Sequence, residues 1–338
     1  MAPKIYTNLR KNMIKSLIKT RVVGVDIGLQ YTIYAIVDVR GNIIDRASFP
    51  TTDYPNVNTY ISTLCDNILK LIEANGCYED IRSIGISAPS SNYMTGNIEN
   101  SGNLLWKGVI PLSALMRDRL GMAVAVANNA HVRALGEWTY GCAHGMKDFL
   151  FITLDQGFGS CIFSNGHIHL GNEGFAGEIG HCCVYPGGRQ CTCGSRGCIE
   201  AYCGAAGIVQ TACEVMEERN EPSLMRNCKE LTPKFITECC DKGDELAIEV
   251  YRRTGFILGI GLANYASVFD PEAIILTGGI SKAGKWLLEP TNESFEEHVF
   301  HNIENKVKFM FSSLNDDERN MLGASALAWS VKEYSLFK

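Results

Sequence analysis

The chain has 338 residues, 46% hydrophobic and 20% charged, with a formal net charge of −6. This balance supports packed cores rather than disorder, and it argues against a general nucleic-acid surface, which needs an excess of Lys and Arg. No apolar run reaches the roughly 18 residues of a membrane span, and the first 20 residues lack the apolar stretch of a secretory signal, so a cytoplasmic protein is expected.

Residues 1–20 read as a basic extension carrying Lys4, Arg10, Lys11, Lys15 and Lys19. Leu9, Met13 and Leu17 recur at four-residue spacing, as on one face of a short helix. A packed surface helix is the plainer reading and a DNA- or partner-contacting helix the sharper one. A helix-turn-helix needs more helices than this span holds. Strands are expected at Arg21–Ile27, Tyr31–Val39 and Ile43–Phe49, with Arg40-Gly41-Asn42 as the second turn. Val57–Ala74 has helical period, Ile84–Ser87 reads as a buried strand, Leu112–Leu120 as a helix and Met122–Ala127 as a strand. The order predicts an α/β layer with a mixed sheet.

The pattern then restarts. Phe149–Leu154 and Ser160–Ser164 are expected strands around the turn 155–159, and Asn165-Gly166 leads back into His167–Leu170. Helices are expected at Ala205–Glu218, Asp244–Val268 and Leu322–Ser335, a strand at Ala273–Thr277, and an irregular stretch from Pro222 to Thr232. The two halves share a strand-turn-strand opening, Val25-Asp26-Ile27-Gly28 and Thr153 to Gly159. Such paired turns suit backbone amides facing phosphates, although a Gly turn between strands more often marks a plain hairpin. The expected domains are a small one at 21–127 that takes back the final helix at 322–338, and a large one at 128–321.

The Gly180–Glu200 segment is the densest in chemistry. His181, Cys191, Cys193 and Cys198 lie in a Gly-rich loop, and imidazole with three thiolates closes a tetrahedral Zn²⁺ shell, giving a structural metal rather than a catalytic one. Glu178 and Glu200 bracket this loop (181–198) as if aimed at a polar ligand. The other cysteines of the fourteen are scattered, which fits free thiols in a reducing compartment better than a disulfide scaffold.

Gly180-His181 followed by Cys191-Thr192-Cys193-Gly194-Ser195-Arg196-Gly197-Cys198-Ile199-Glu200 resembles the signature of the ROK family (repressors, open reading frames and sugar kinases), and within it the bacterial glucokinases. Gly174-Phe175-Ala176-Gly177-Glu178 extends the resemblance upstream. Asn103-Leu104-Leu105-Trp106 is similar to the family's sugar-loop segment, and Gly278-Gly279 to its adenosine-binding turn. The resemblance runs from about residue 21 to the end. It implies two ribonuclease-H-like domains of the hexokinase/actin ATPase fold, with an interdomain cleft and a structural zinc loop. It further implies a hexose, such as glucose or an N-acetylated hexose, held by Asn103, Asn128, Glu178, His181 and Glu200. ATP with Mg²⁺, if the chain is active, would meet Asp26, Gly28, Gly157, Gly159, Gly278 and Gly279. A homodimer is implied as well.

The same resemblance exposes departures. Family kinases carry Asn-Asp-Ala-Asn where this chain reads Asn128-Asn129-Ala130-His131, so Asn129 replaces the general base. A neutral amide cannot take a proton from a sugar hydroxyl, and losing a positioned base costs about 10²–10⁴-fold. The first phosphate loop, Asp-x-Gly-Gly-Thr-Lys in the kinases, is Asp26-Ile27-Gly28-Leu29-Gln30-Tyr31 here. The second, Gly-Thr-Gly-x-Gly, is Asp155-Gln156-Gly157-Phe158-Gly159 and adds a negative charge near a negative nucleotide. His131 and Asp155 are the nearest substitutes for the base. The expectation is a sugar-binding protein with weak or lost kinase activity and a sensing or regulatory role. The alternatives are an active glucokinase and a repressor.

Overall fold

The computed structural model describes residues 19–102 and 104–331. The expected helix within residues 1–18, the sugar-loop residue Asn103 and the end of the expected final helix lie outside them. Contacts divide the chain into two compact units: one runs to His144 and takes in the segment from Ser313, and the other is Gly145–Ser312.

In the first unit, β1 (Arg21–Ile27), β2 (Tyr31–Asp38) and β3 (Ile43–Pro50) form an antiparallel meander, followed by helix α1 (Val57–Ala74) and β4 (Ile81–Ser87). A small sheet of β5 (Ser91–Asn92), β6 (Asn97–Glu99) and β7 (Val109–Ile110) precedes α2 (Leu112–Leu120), β8 (Ala123–Ala127) and α3 (Asn129–Tyr140). The main sheet has the order β3-β2-β1-β4-β8, with β1, β4 and β8 parallel. On one face Val23, Val25, Ile84 and Ile86 pack with Tyr60, Ile61, Leu64 and Ile68 of α1. The C-terminal helix, Asp316–Ser330, covers the other face. Its close approach depends on glycine: a Cβ on Gly85 of β4 would lie 2.0 Å from the Ala324 carbonyl oxygen, and one on Gly323 would lie 2.3 Å from that of Val132 in α3.

This packing moves the expected boundaries. α3 and the start of the C-terminal helix belong to the first unit, so the divisions fall at 144/145 and 312/313 rather than at 127/128 and 321/322. Fully buried Glu137 of α3 secures this junction, accepting from the Cys142 N–H (3.0 Å), the Ser313 hydroxyl (3.2 Å) and the Leu314 N–H (3.3 Å). A buried carboxylate is tolerated only when donors surround it. The C-terminal helix also starts at Asp316 rather than Leu322. Its first turn is acidic and polar, which suits a helix N-terminus but shows no apolar period.

The second unit repeats the plan. β9 (Phe149–Leu154), β10 (Phe158–Ser164) and β11 (His167–Ile168) are antiparallel, and β12 (Ala273–Thr277) and β13 (Lys308–Phe311) extend β9 in parallel, giving the order β11-β10-β9-β12-β13. Strand β10 begins at Phe158, so the expected five-residue turn shrinks to 155–157 and Gly159 pairs with Thr153 inside the ladder. Between β11 and β12 lie α4 (Ala205–Glu218), α5 (Pro233–Asp241) and α6 (Glu245–Phe269), and α7 (Lys285–His298) follows β12. Leu150, Ile152, Ile274 and Leu276 form the core with Ile208 and Val215 of α4 and Leu258 and Leu262 of α6. Pro290 inside α7 and the shortness of α5 hid both helices from periodicity.

Candidate functional site

In the second unit, the ligand atoms of His181, Cys191, Cys193 and Cys198 all lie within 4.8 Å of one another. His181 Nδ1 and Cys191 Sγ are 3.7 Å apart, and the Cys193 and Cys198 sulfurs 3.8 Å. Zn–S bonds of about 2.3 Å at tetrahedral angles put neighbouring sulfurs about 3.8 Å apart, so the type and spacing of these donors fit Zn²⁺. The loop is also pinned from outside. The Arg189 guanidinium donates to the Gly207 carbonyl (2.9 Å), the Thr211 hydroxyl (2.9 Å) and the Glu214 carboxylate (2.5 Å), all on α4, and it lies over the Tyr202 ring.

Glu200 opens a one-turn helix two residues after Cys198. One carboxylate oxygen accepts from the Thr192 hydroxyl in the metal loop (2.9 Å), and the other from the Phe158 N–H at the start of β10 (2.9 Å). A Cβ on Gly157 would come within 2.8 Å of this second oxygen, so the glycine lets Glu200 reach the turn. Glu178 lies on the other side of His181. Water reaches its side chain, yet crowding by protein atoms pushes its carboxyl above the ordinary range, His181 opposes the shift and Glu200 adds to it. The turn expected as the second phosphate loop is internally closed: the Asp155 carboxylate accepts from the Gly279 N–H (2.6 Å). One amide of the expected adenosine turn is thereby already taken, the Asp155 N–H donates to the Gly157 carbonyl (3.1 Å), and Gly159 lies in the ladder opposite Thr153.

In the first unit, Asn128 is the N-cap of α3, its side chain accepting from the Ala130 N–H (3.0 Å), and Asn129 is the first helical residue. The Ser87 hydroxyl at the end of β4 donates to Asn129 Oδ1 (2.9 Å). Asp26, the penultimate residue of β1, lies beside them. Burial pushes its pKa up, opposed by the Asn320 hydrogen bond (2.8 Å), the Arg133 charge and Ser87. Arg133 in turn donates to Asn320 (2.7 Å). Sequence reading missed Ser87, Arg133, Asn320 and Arg189, because none belongs to a motif and each meets its partner only through the fold. Neither substitute base has support. His131 is buried, and desolvation lowers its pKa to about 4, so it stays neutral inside α3. Asp155 is committed to Gly279. Gly28 closes a tight turn, its N–H donating to the Tyr31 carbonyl (3.0 Å), while Leu29, Gln30 and Tyr31 all stand exposed on the loop.

Residues 22–331 match the ROK family. A glucokinase from Halalkalibacterium halodurans is 33% identical over 317 residues, which cover 92% of this chain and 94% of the relative. The xylose repressor of Bacillus subtilis is 26% identical over 297 residues, 87% of this chain and 73% of the repressor. Among solved structures, a ROK family glucokinase from Streptomyces griseus in complex with glucose and AMPPNP matches at 28% identity with a TM-score of 0.72, over 92% of this chain and 100% of that one.

Proposed function

From the premise that the chain belongs to the ROK family, whose sugar kinases have the actin/hexokinase ATPase fold with mixed α/β sheets, we propose a cytoplasmic hexose-binding protein. Its phosphoryl transfer is weak or lost, and its role is sensing or regulatory. The observation that carries this reading is Asn129: the residue in the base position is a neutral amide held by Ser87, and the nearby His131 stays neutral.

In this reading Glu178 and Glu200 orient the sugar as charged acceptors, which bind hydroxyls more strongly than neutral ones, and the His181 imidazole joins them as a donor. Asn128 and Asn103 are assigned to the sugar by resemblance. Zn²⁺ in the Cys₃His set would supply rigidity and no open coordination position. Asp26 and the two Gly turns are the elements that ATP and Mg²⁺ would use. Asp155 weakens that use by occupying Gly279 and by adding negative charge. The homodimer stays part of the proposal, and light scattering reads it directly.

The test is purified protein with ATP, Mg²⁺ and glucose, alongside separate calorimetry of hexoses and of ATP. The expected result is hexose binding without nucleotide and little sugar phosphate. A turnover of about 10–100 s⁻¹, ordinary for kinases, overturns it. That outcome would establish the second reading, an active glucokinase, which the 33% identity to a glucokinase over nearly the full length favours.

A further inference from the structure

We propose that Cys183 is an oxidation site that opens the metal loop by forming a disulfide with Cys198. The inference rests on the reading of His181, Cys191, Cys193 and Cys198 as zinc ligands. Cys183 stands outside that set and is exposed, whereas Cys198 is buried.

The two residues face each other across an antiparallel bridge. Its flanking hydrogen bonds run from the Val184 N–H to the Gly197 carbonyl (2.9 Å) and from the Ile199 N–H to the Cys182 carbonyl (3.1 Å). Cys183 and Cys198 are therefore the non-hydrogen-bonded pair, the kind whose Cα atoms approach to about 4.5 Å and whose side chains lie closest. That separation falls within the roughly 4.4–6.8 Å that a disulfide spans. Gly197 preserves the space: a Cβ there would lie 3.1 Å from the Cys183 sulfur and 1.9 Å from the Tyr185 carbonyl oxygen. The neighbouring thiol is directed elsewhere, because Cys182 is in contact with the Tyr265 hydroxyl of α6. Cys193 also lies near Cys198, but both of those sulfurs would be vertices of the metal tetrahedron, whereas Cys183 is the thiol an oxidant would meet uncoordinated.

Hydrogen peroxide is the oxidant. The Cys183 thiolate attacks one peroxide oxygen, the O–O bond breaks, and the departing hydroxide takes a proton to become water, leaving a sulfenic acid on Cys183. The Cys198 sulfur then attacks the Cys183 sulfur. The S–S bond forms, the S–O bond breaks, and a second hydroxide leaves and is protonated to water. Two sulfurs have lost two electrons in total and the peroxide has gained them. The donor set falls to His181, Cys191 and Cys193. Glu200, two residues beyond Cys198, loses the support that holds it against Thr192 and Phe158. Hexose binding thereby becomes sensitive to oxidation.

The experiment uses the full chain, purified reduced with its metal content measured, then treated with stoichiometric hydrogen peroxide. Metal release is followed with a chromogenic chelator and disulfides by non-reducing peptide mass spectrometry. The expected result is a Cys183–Cys198 peptide formed in step with one metal released per chain, and reversed by dithiothreitol. Cys183→Ser should load metal normally and release it at least about tenfold more slowly, while Cys182→Ser behaves as wild type. A first disulfide between Cys193 and Cys198, or equal release from wild type and Cys183→Ser, overturns the inference. A wild-type chain that folds without zinc would instead remove the metal reading, and the disulfide map would still decide the pairing.

Discussion

The Cys₃His loop of the second unit and the Asp26–Tyr31 turn of the first both lie beside a carboxylate, yet they are held differently. Around Glu200 every contact reinforces one geometry: Thr192 and Phe158 hold its two oxygens, Gly157 makes room, and Arg189 fastens the loop to α4. Around Asp26 the framework is equally connected through Asn320, Arg133 and Ser87, but it ends on Asn129 and on a turn lined by Leu29, Gln30 and Tyr31. The contrast is between a carboxylate whose two oxygens are both held and a carboxylate framework that leads to a neutral amide. A ligand-orienting part and a reacting part answer to different demands, positioning in one and proton transfer in the other.

The comparison breaks most readily at the metal loop. Cys198→Ala should lose the metal altogether by elemental analysis and lower hexose affinity beyond about 100-fold, because structural zinc supplies folding energy outright. Unchanged hexose binding in a metal-free variant would show that the loop is no brace. The next effect belongs to the other region. Asn129→Asp should raise turnover by about 10²–10⁴-fold in a coupled sugar-phosphate assay. If turnover does not rise, the phosphate loops, not the base, limit transfer. Asp155→Gly frees the Gly279 amide and removes a charge, and ATP affinity by calorimetry should tighten about tenfold, or about 1.4 kcal/mol; unaltered affinity would locate the defect in the Leu29–Tyr31 turn.

The smallest effect is a pH dependence. Crowding by protein atoms raises Glu178 above its ordinary value of 4.5, although the side chain is exposed. A carboxyl shifted this way contributes stability that is present below that value and is lost as pH rises through the raised one. Hexose binding runs in the opposite sense, since the charged form is the stronger acceptor: affinity should fall a few-fold as pH drops through the Glu178 pKa. Glu178→Gln should flatten that profile, and a profile that survives the substitution would assign the titration to another group.

Much of this was legible in the chain. The strands Arg21–Ile27 and Ala273–Thr277 and the helices Val57–Ala74 and Leu112–Leu120 were readable because apolar period and turn residues agree locally. α7 was not, because Pro290 interrupts its pattern and the packing against α6 overrides it. The start of the C-terminal helix was hidden in a polar first turn whose worth lies in its ends, not in its period.

The sequence by itself determined the family, the Cys₃His donor set proposed for zinc and the amide at position 129, since each is written in residue type and spacing along one continuous stretch. The tertiary structure alone decided that Glu200 braces Phe158, that Asp155 closes Gly279, that Ser87 and Asn320 frame Asn129 and Asp26, and that Cys183 stands opposite Cys198. The physical reason is distance along the chain. Hydrogen bonds and sulfur pairs form between groups a few ångströms apart in space, and only the folded sheets and loops bring residues separated by tens or hundreds of positions to that range.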